Sequence, residues 1–249
     1  MTNLKVNIAG VSFKNPVITA SGCFGFGREY ECMYPLEKLG GISLKGMTFQ
    51  EKLGNPPPRI AETPSGMLNA VGLQNPGLDC FLEQHLPWLR AQDTAVIANI
   101  AGNTPEDYCA MAERLSDSDV DMIEMNISCP NVKQGGVQFG TSCENAAGIT
   151  AKVRRVCKKP LMVKLSPNVA DIGEIAAAVE AAGADAISLI NTLTGMRIDI
   201  RTRRPIIRNN TGGLSGPAVF PVAVRMVWQA YSRVKIPVVG LGGITTWED

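Results

Sequence analysis

The chain has 249 residues, 45% hydrophobic and 19% charged, with 24 basic and 23 acidic side chains giving a net charge of +1. That balance offers no basic stripe for nucleic acid, and no apolar run is long enough to span a membrane. The N-terminus Met1-Thr-Asn-Leu-Lys5 lacks a signal peptide's apolar core, so the expected location is the cytoplasm.

Seven cysteines, at 23, 32, 80, 109, 129, 143 and 157, form no C-x-x-C pair. Neither a disulfide framework nor a cysteine-held zinc or iron–sulfur site is expected, and no metal. His85 is the single histidine, which excludes a histidine triad. Proton chemistry then falls to Cys, Lys, Asp, Glu, Ser, Thr or Tyr.

In chain order, Leu4–Ile8 and Val11–Phe13 flank Ala9-Gly10 and read as a hairpin. Val17–Ser21 and Ile42–Gly46 read as short strands. Residues 47–74, rich in Pro and Gly, form a long irregular excursion, and excursions of that length are usually functional. A helix follows within Pro76–Arg90. Regular alternation then begins. Strand Ala95–Ile100 precedes a helix opened by Thr104-Pro105-Glu106-Asp107, an N-cap with Pro at N1. Strand Met122–Ser128 precedes a helix at 143–157. Strand Leu161–Leu165 precedes one at 171–182, and strand Ala186–Ile190 runs into Asn191-Thr192. A second excursion covers 193–215. A helix at 217–231 leads to Pro237–Gly243.

These are seven apolar, non-alternating strands, each followed by a helical segment or its beginning, as in a parallel sheet covered on both faces. An open doubly wound sheet is possible, but Ser21-Gly-Cys-Phe-Gly-Phe-Gly27 lacks the G-x-G-x-x-G spacing of a dinucleotide fold. The better reading is one (β/α)8 TIM-barrel domain over 1–249, with its site at the C-terminal ends of the strands.

Polar residues collect at those ends: Ser21, Lys45, Asn99, Asn126, Cys129, Lys164, Asn191, Thr192, Gly242 and Gly243. Asn and Ser there can be mere turn residues. Lys45 and Lys164 differ, because each lies inside an apolar strand, where an unpaired ammonium is costly. Both read as ligand-facing. Cys129 stands where a strand becomes the glycine-rich loop 131–140. It can face a ligand under that loop, or be a small buried thiol.

The motifs Asn69-Ala-Val-Gly-Leu-Gln-Asn-Pro-Gly77, Asn126-Ile-Ser-Cys-Pro-Asn131, Val163-Lys-Leu-Ser-Pro167, Ile190-Asn-Thr192, Gly212-Gly-Leu-Ser-Gly216 and Gly240-Leu-Gly-Gly243 together resemble the class 1 dihydroorotate dehydrogenases. The first motif looks like class 1B, the catalytic subunit of the NAD-dependent enzyme. The resemblance runs from Val6 to Trp247. It implies a barrel that holds flavin mononucleotide (FMN) and oxidises dihydroorotate to orotate in pyrimidine synthesis. It also implies that Cys129 is the base taking the C5 proton, with Lys45 beside it, while the C6 hydride passes to the flavin. Lys45, Asn69, Ala70, Val71, Gly72, Leu73, Asn126, Asn131, Asn191 and Thr192 are implied in holding the substrate. Ser21, Lys45, Gly46, Asn99, Asn126, Lys164, Ile190, Gly216, Gly242 and Gly243 are implied in holding the flavin. The family further implies a homodimer within a heterotetramer, in which a partner subunit with FAD and an iron–sulfur cluster carries electrons to NAD. Complete members continue with a further helix, an eighth strand and a Gly-Thr phosphate turn, so the barrel is expected to lack its eighth βα unit. Two alternatives stand beside this reading: a dihydropyrimidine dehydrogenase-like flavoenzyme, and a truncated barrel without catalysis.

Overall fold

The computed structural model describes residues 3–128 and 139–249. The chain opens with the antiparallel hairpin β1 (Val6–Ile8) and β2 (Val11–Phe13), paired Val6 to Phe13 and Ile8 to Val11. Its two-residue turn places both Ala9 (φ 52°) and Gly10 (φ 86°) in the left-handed region, which the twist of a tight hairpin demands.

The main sheet has seven strands: β3 (Ile18–Thr19), β4 (Gly41–Ser43), β7 (Ala95–Ile100), β8 (Met122–Asn126), β9 (Leu161–Lys164), β10 (Ala186–Leu189) and β15 (Val238–Gly240). Their spatial order is β15-β10-β9-β8-β7-β4-β3 and every pair is parallel. The order follows the chain without reversal, whereas a doubly wound sheet reverses at a switch point. The sheet also curls. Ile18 on β3 and Val239 on β15 pack against the same inner cluster of Phe13, Ile97, Met122, Met162 and Ala186. Among the described residues this is the wall of a TIM barrel with seven of its eight strands, as the sequence predicts. Strands β8, β9 and β10 are buried at every position, which explains their unbroken apolar composition.

The outer layer contains a helical segment at 78–90, comprising α1 (Leu78–Cys80), a π-helical stretch Phe81–His85, and α2 (Leu86–Arg90). It continues with α3 (Pro105–Ser116), α4 (Cys143–Val156), α5 (Ile172–Ala181) and α6 (Phe220–Tyr231). Helices α3, α4 and α5 repeat one device. The residues Tyr108, Met111, Ala112 and Leu115, then Ala146, Ile149, Thr150 and Val153, then Ile172, Ile175, Ala176 and Val179, are buried at i, i+3, i+4, i+7 spacing. Each large apolar side chain buried this way contributes roughly 1.5–3 kcal/mol. Thr104 caps α3 in a full capping box with Asp107, as its motif predicts.

Two expectations are corrected. The excursions at 47–74 and 193–215 are not irregular. They supply β5 (Ile60–Thr63), β6 (Gly66–Asn69), β11 (Leu193–Met196) and β14 (Thr211–Ser215), which form one antiparallel sheet in the order β11-β14-β6-β5. Leu68 pairs with Leu214 across its centre, so each excursion covers the other's apolar residues. A smaller ladder joins β12 (Ile198–Asp199) to β13 (Arg204–Pro205). Nor is every strand followed by an α-helix: among the described residues, β3 leads to β4 through turns and a single 3-10 turn at Leu36–Lys38.

The hairpin closes the N-terminal end of the barrel. Phe13 is fully buried, and a Cβ on Gly41 would come within 2.8 Å of its ring. Gly41 therefore yields its inward position to the plug, leaving the C-terminal end as the open face.

Candidate active site

Above the apolar layer of Ile97, Met122, Met162 and Ala186, the next inward positions of the same strands are polar. Parallel register sets Asn99 beside Glu124, Asn126 beside Lys164, and Lys164 beside Ser188. Side chains two residues apart share a face, so Ser43, Asn99, Glu124, Asn126, Lys164 and Ser188 crown the interior. All six are buried.

Glu124 is the hub. Its Oε2 accepts hydrogen bonds from Ser43 Oγ and Asn99 Nδ2, both at 2.6 Å, and its Oε1 accepts from Ser188 Oγ at 2.6 Å. Burial pushes its carboxyl pKa up. The Lys164 charge and the hydrogen bonds from Ser188, Ser43 and Asn99 together outweigh that, so the group titrates below the ordinary glutamate range. Glu124 is therefore an ionised carboxylate inside the barrel. Sequence reasoning missed it, and with it Ser43 and Ser188. The signal was present, since Met122-Ile-Glu-Met-Asn126 sets a charge in an apolar strand just as Met162-Val-Lys-Leu165 does.

Two groups of this layer make no hydrogen bond among the described residues. Asn99 Oδ1 is sealed from solvent and accepts no hydrogen bond. The Lys164 side chain makes no hydrogen bond, although the residue is only 5% exposed. Buried polar groups are normally satisfied, so each marks a place for a ligand group. Gly46 packs against this amide: a Cβ there would lie 2.9 Å from Asn99 Oδ1 and 3.3 Å from Leu73 Cδ2. Gly46, Leu73 and Asn99 are thus brought together. So are Lys45 and the turn after β3, with Lys45 Nζ 3.8 Å from a Cβ built on Gly22, next to Ser21.

A second set of amides lies around the ends of β8 and β10. Asn126 Oδ1 accepts from Asn191 Nδ2 at 3.1 Å and from the Ser128 N–H at 3.1 Å, while Asn191 Oδ1 accepts from the Thr192 N–H at 2.8 Å. Tyr108 OH donates to the Asn126 carbonyl at 2.7 Å and fixes the strand end from the helix side. Thr192 stands against Gly213, where a Cβ would run into its hydroxyl. Asn69 Nδ2 donates to the Gly213 carbonyl at 3.4 Å, which ties the antiparallel sheet to the same face. Asn55, absent from the sequence reading, donates its N–H to the Val71 carbonyl at 2.9 Å and its Nδ2 to the Ala70 carbonyl at 2.8 Å. Those two carbonyls are therefore already engaged. Gly72 (φ 77°) and Leu73 (φ 57°) carry the turn that follows.

The glycines expected around a phosphate also converge. A Cβ on Gly243 would lie 2.8 Å from the Gly216 carbonyl and 2.8 Å from the Phe220 nitrogen, at the start of α6. A Cβ on Gly242 would meet Ile190 Cγ1 at 3.1 Å. Ile190 itself is held by its N–H donating to the Leu241 carbonyl at 2.9 Å. Gly216 (φ 104°), Gly242 (φ 121°) and Gly243 (φ 77°) all adopt conformations that favour glycine. Two of the expected site residues, Cys129 and Asn131, lie outside the described residues.

A family profile described as dihydroorotate dehydrogenase matches residues 3–249. The chain is 57% identical, over 250 aligned residues, to the catalytic subunit of dihydroorotate dehydrogenase B (NAD(+)) of Bacillus cereus strain B4264; the alignment covers 100% of this chain and 81% of that protein. It is 56% identical to the subunit of the same name from Bacillus anthracis strain CDC 684, with the same coverage. On this match, carried by a barrel whose open end gathers the residues described above, the chain belongs to the dihydroorotate dehydrogenase family.

Proposed function

We propose that this chain is the catalytic subunit of a NAD-linked dihydroorotate dehydrogenase, oxidising dihydroorotate to orotate in pyrimidine biosynthesis. The match to B-type catalytic subunits along the whole chain carries the reading. The cofactor we assign is FMN. Its isoalloxazine offers both N–H and carbonyl groups at the pyrimidine end. The barrel offers an unmatched buried acceptor, Asn99 Oδ1, and, in the same layer, a buried cation, Lys164, that makes no hydrogen bond among the described residues. A fixed positive charge there favours the reduced flavin. Ser21, Lys45, Gly46, Asn126 and Ile190 would complete the flavin site. The backbone around Gly216, Gly242 and Gly243, at the start of a helix, suits its phosphate. When bound, the flavin would accept the hydride leaving C6 of the substrate.

The protein's own residues would do the rest. Lys45 would meet the substrate carboxylate and assist at the reacting carbons. Asn69, Asn126, Asn131, Asn191 and Thr192, with the 70–73 turn, would orient a ring rich in amides, because each asparagine offers both donor and acceptor. The Cys129 thiolate would take the C5 proton, an assignment that rests on the Asn126–Asn131 motif. Proton to sulfur and hydride to cofactor leave the C5–C6 double bond of orotate. The related proteins are catalytic subunits by name, so a partner subunit is implied. We assign that partner FAD and an iron–sulfur cluster and place NAD last, in a heterotetramer built on a homodimer of this chain. No helix among the described residues is long and apolar enough to cross a membrane, in keeping with a cytoplasmic placement.

Anaerobic addition of dihydroorotate to the purified protein tests the reading. Bleaching of the visible flavin absorbance together with formation of orotate is expected. A flavin-loaded protein left unbleached by dihydroorotate but bleached by dihydrouracil would overturn the substrate assignment.

A further inference from the structure

Glu124 lies in the polar layer without any role in the chemistry above. It is 2% exposed and joins donors from three other strands, Ser43 on β4, Asn99 on β7 and Ser188 on β10. A buried carboxylate is a poor way to tie strands together. Well-packed apolar residues do so at no desolvation cost, and replacing buried ionic groups by them is often neutral or stabilising. The carboxylate does two further things. It takes the Asn99 Nδ2 group and so turns the Asn99 carbonyl oxygen away from itself, towards Gly46. It also sets a negative charge on the same inward face as Lys164, opposite Met162 and so one inward step below the lysine, with no direct ion pair between them.

Resting on the flavoenzyme reading, we propose that Glu124 is a positioning residue of the flavin site. It fixes which end of the Asn99 amide meets the ligand, and it offsets the Lys164 charge so that the site holds the flavin's reduction potential below the value Lys164 alone would impose. A fixed charge in a water-poor site acts on a redox centre without touching it, because the low local dielectric screens it weakly.

The test is Glu124→Gln in the holoenzyme, read by redox titration of the bound flavin. Glutamine keeps the side-chain shape. Its oxygen can accept from Ser43 and Asn99, and its amide can donate to Ser188, whose hydroxyl can turn to accept. The ties stay and the charge goes. The expected result is at least a tenfold gain in affinity for reduced over oxidised flavin, an upward move of the midpoint of about 30 mV for a two-electron couple. Glu124→Asp, which keeps the charge, should leave the midpoint near the wild-type value. An unchanged midpoint in Glu124→Gln, or equal shifts in the Gln and Asp variants, would overturn the proposal. A Gln variant that cannot fold would do so too, since it would make the carboxylate a structural tie. A wild-type protein that holds no flavin would instead refute the flavoenzyme reading, and the proposal with it.

Discussion

Truncating Asn99 to alanine separates a structural amide from a ligand-binding one. The side chain is fully buried and plays two opposed parts. Its Nδ2 donates to the Glu124 carboxylate at 2.6 Å, and a hydrogen bond to a charged group contributes about 1.5–3 kcal/mol. Its Oδ1 is buried with no donor, which costs about 1–3 kcal/mol by the same kind of mutational measurement. Asn99→Ala removes both, so in flavin-free protein the two changes largely offset and stability should move by no more than about 2 kcal/mol. In flavin-loaded protein the proposed site would give the oxygen a partner, and its removal would then lose a hydrogen bond without relieving any strain. The variant should therefore lose about 1–1.5 kcal/mol of flavin binding, roughly a tenfold rise in the dissociation constant. Urea unfolding of the stripped protein gives the first quantity, and flavin titration monitored by fluorescence quenching gives the second. Equal flavin affinity in wild type and variant would refute the assignment of Asn99 Oδ1 to the ligand. A loss above about 3 kcal/mol in the stripped protein would show that the amide's role is structural.

Phe13→Ala should destabilise the barrel by about 3–5 kcal/mol, because it empties the fully buried plug of the N-terminal end, and chemical denaturation would measure it. Flavin affinity in the folded fraction should be kept, since the plug lies on the far side of the apolar layer. Glu124 titrates lower when folded than when unfolded, so its contribution to stability is complete above its unfolded value, about pH 4.3, and is lost as the pH falls through the folded one. Glu124→Gln should flatten the fall of unfolding free energy in that acidic window, and an unaltered slope would show that folding does not lower the carboxyl pKa. Cys129→Ala should retain flavin and lose ~10²–10⁴-fold in dihydroorotate oxidation, measured as the rate of flavin bleaching. Near-normal bleaching would remove Cys129 from the mechanism.

The barrel was legible in the sequence wherever one local signal decided one element. Thr104-Pro105-Glu106-Asp107 predicts its own helix start, and Ala9-Gly10 its own turn. Runs such as Leu161-Met-Val-Lys164 are buried on both faces and have no other plausible form. The antiparallel sheet was not legible, because Asn69 and Gly213 pair across 144 positions of sequence and neither segment alternates cleanly enough to announce a strand. Proline-rich stretches such as Pro56–Pro58 dominate the local impression of the first excursion, while Gly66–Asn69, only a few residues later, pairs both with the neighbouring Ile60–Thr63 and with the distant Thr211–Ser215. In the site, the cations were found because a lysine in an apolar strand is conspicuous. Ser43 and Ser188 were not, since serine is unremarkable at a strand end and becomes meaningful only when both point at one carboxylate.

The two ends of the barrel use the same kinds of residue for different purposes, and the difference lies in solvent access. At the N-terminal end, Asp121 Oδ2 accepts from the Val96 N–H and pairs with Arg90, and Asp185 Oδ2 accepts from the Leu161 N–H and pairs with Arg154. Each of these carboxylates is partly exposed, pairs with an arginine, and closes the start of the strand next to its own. Their charges are matched locally and screened by water, so they stabilise backbone and project little field. At the C-terminal end, Glu124 and Lys164 are both buried, and neither has a direct ionic partner among the described residues. Opposite charges held apart in a water-poor interior recover less of their desolvation than a direct ion pair would, and Glu124 makes up the difference through its hydrogen bonds from Ser43, Asn99 and Ser188. They are an effective way to set the electrostatic environment of a third group bound between the loops above them. The distribution of charge, rather than its amount, is what marks the C-terminal end of this barrel as the candidate site.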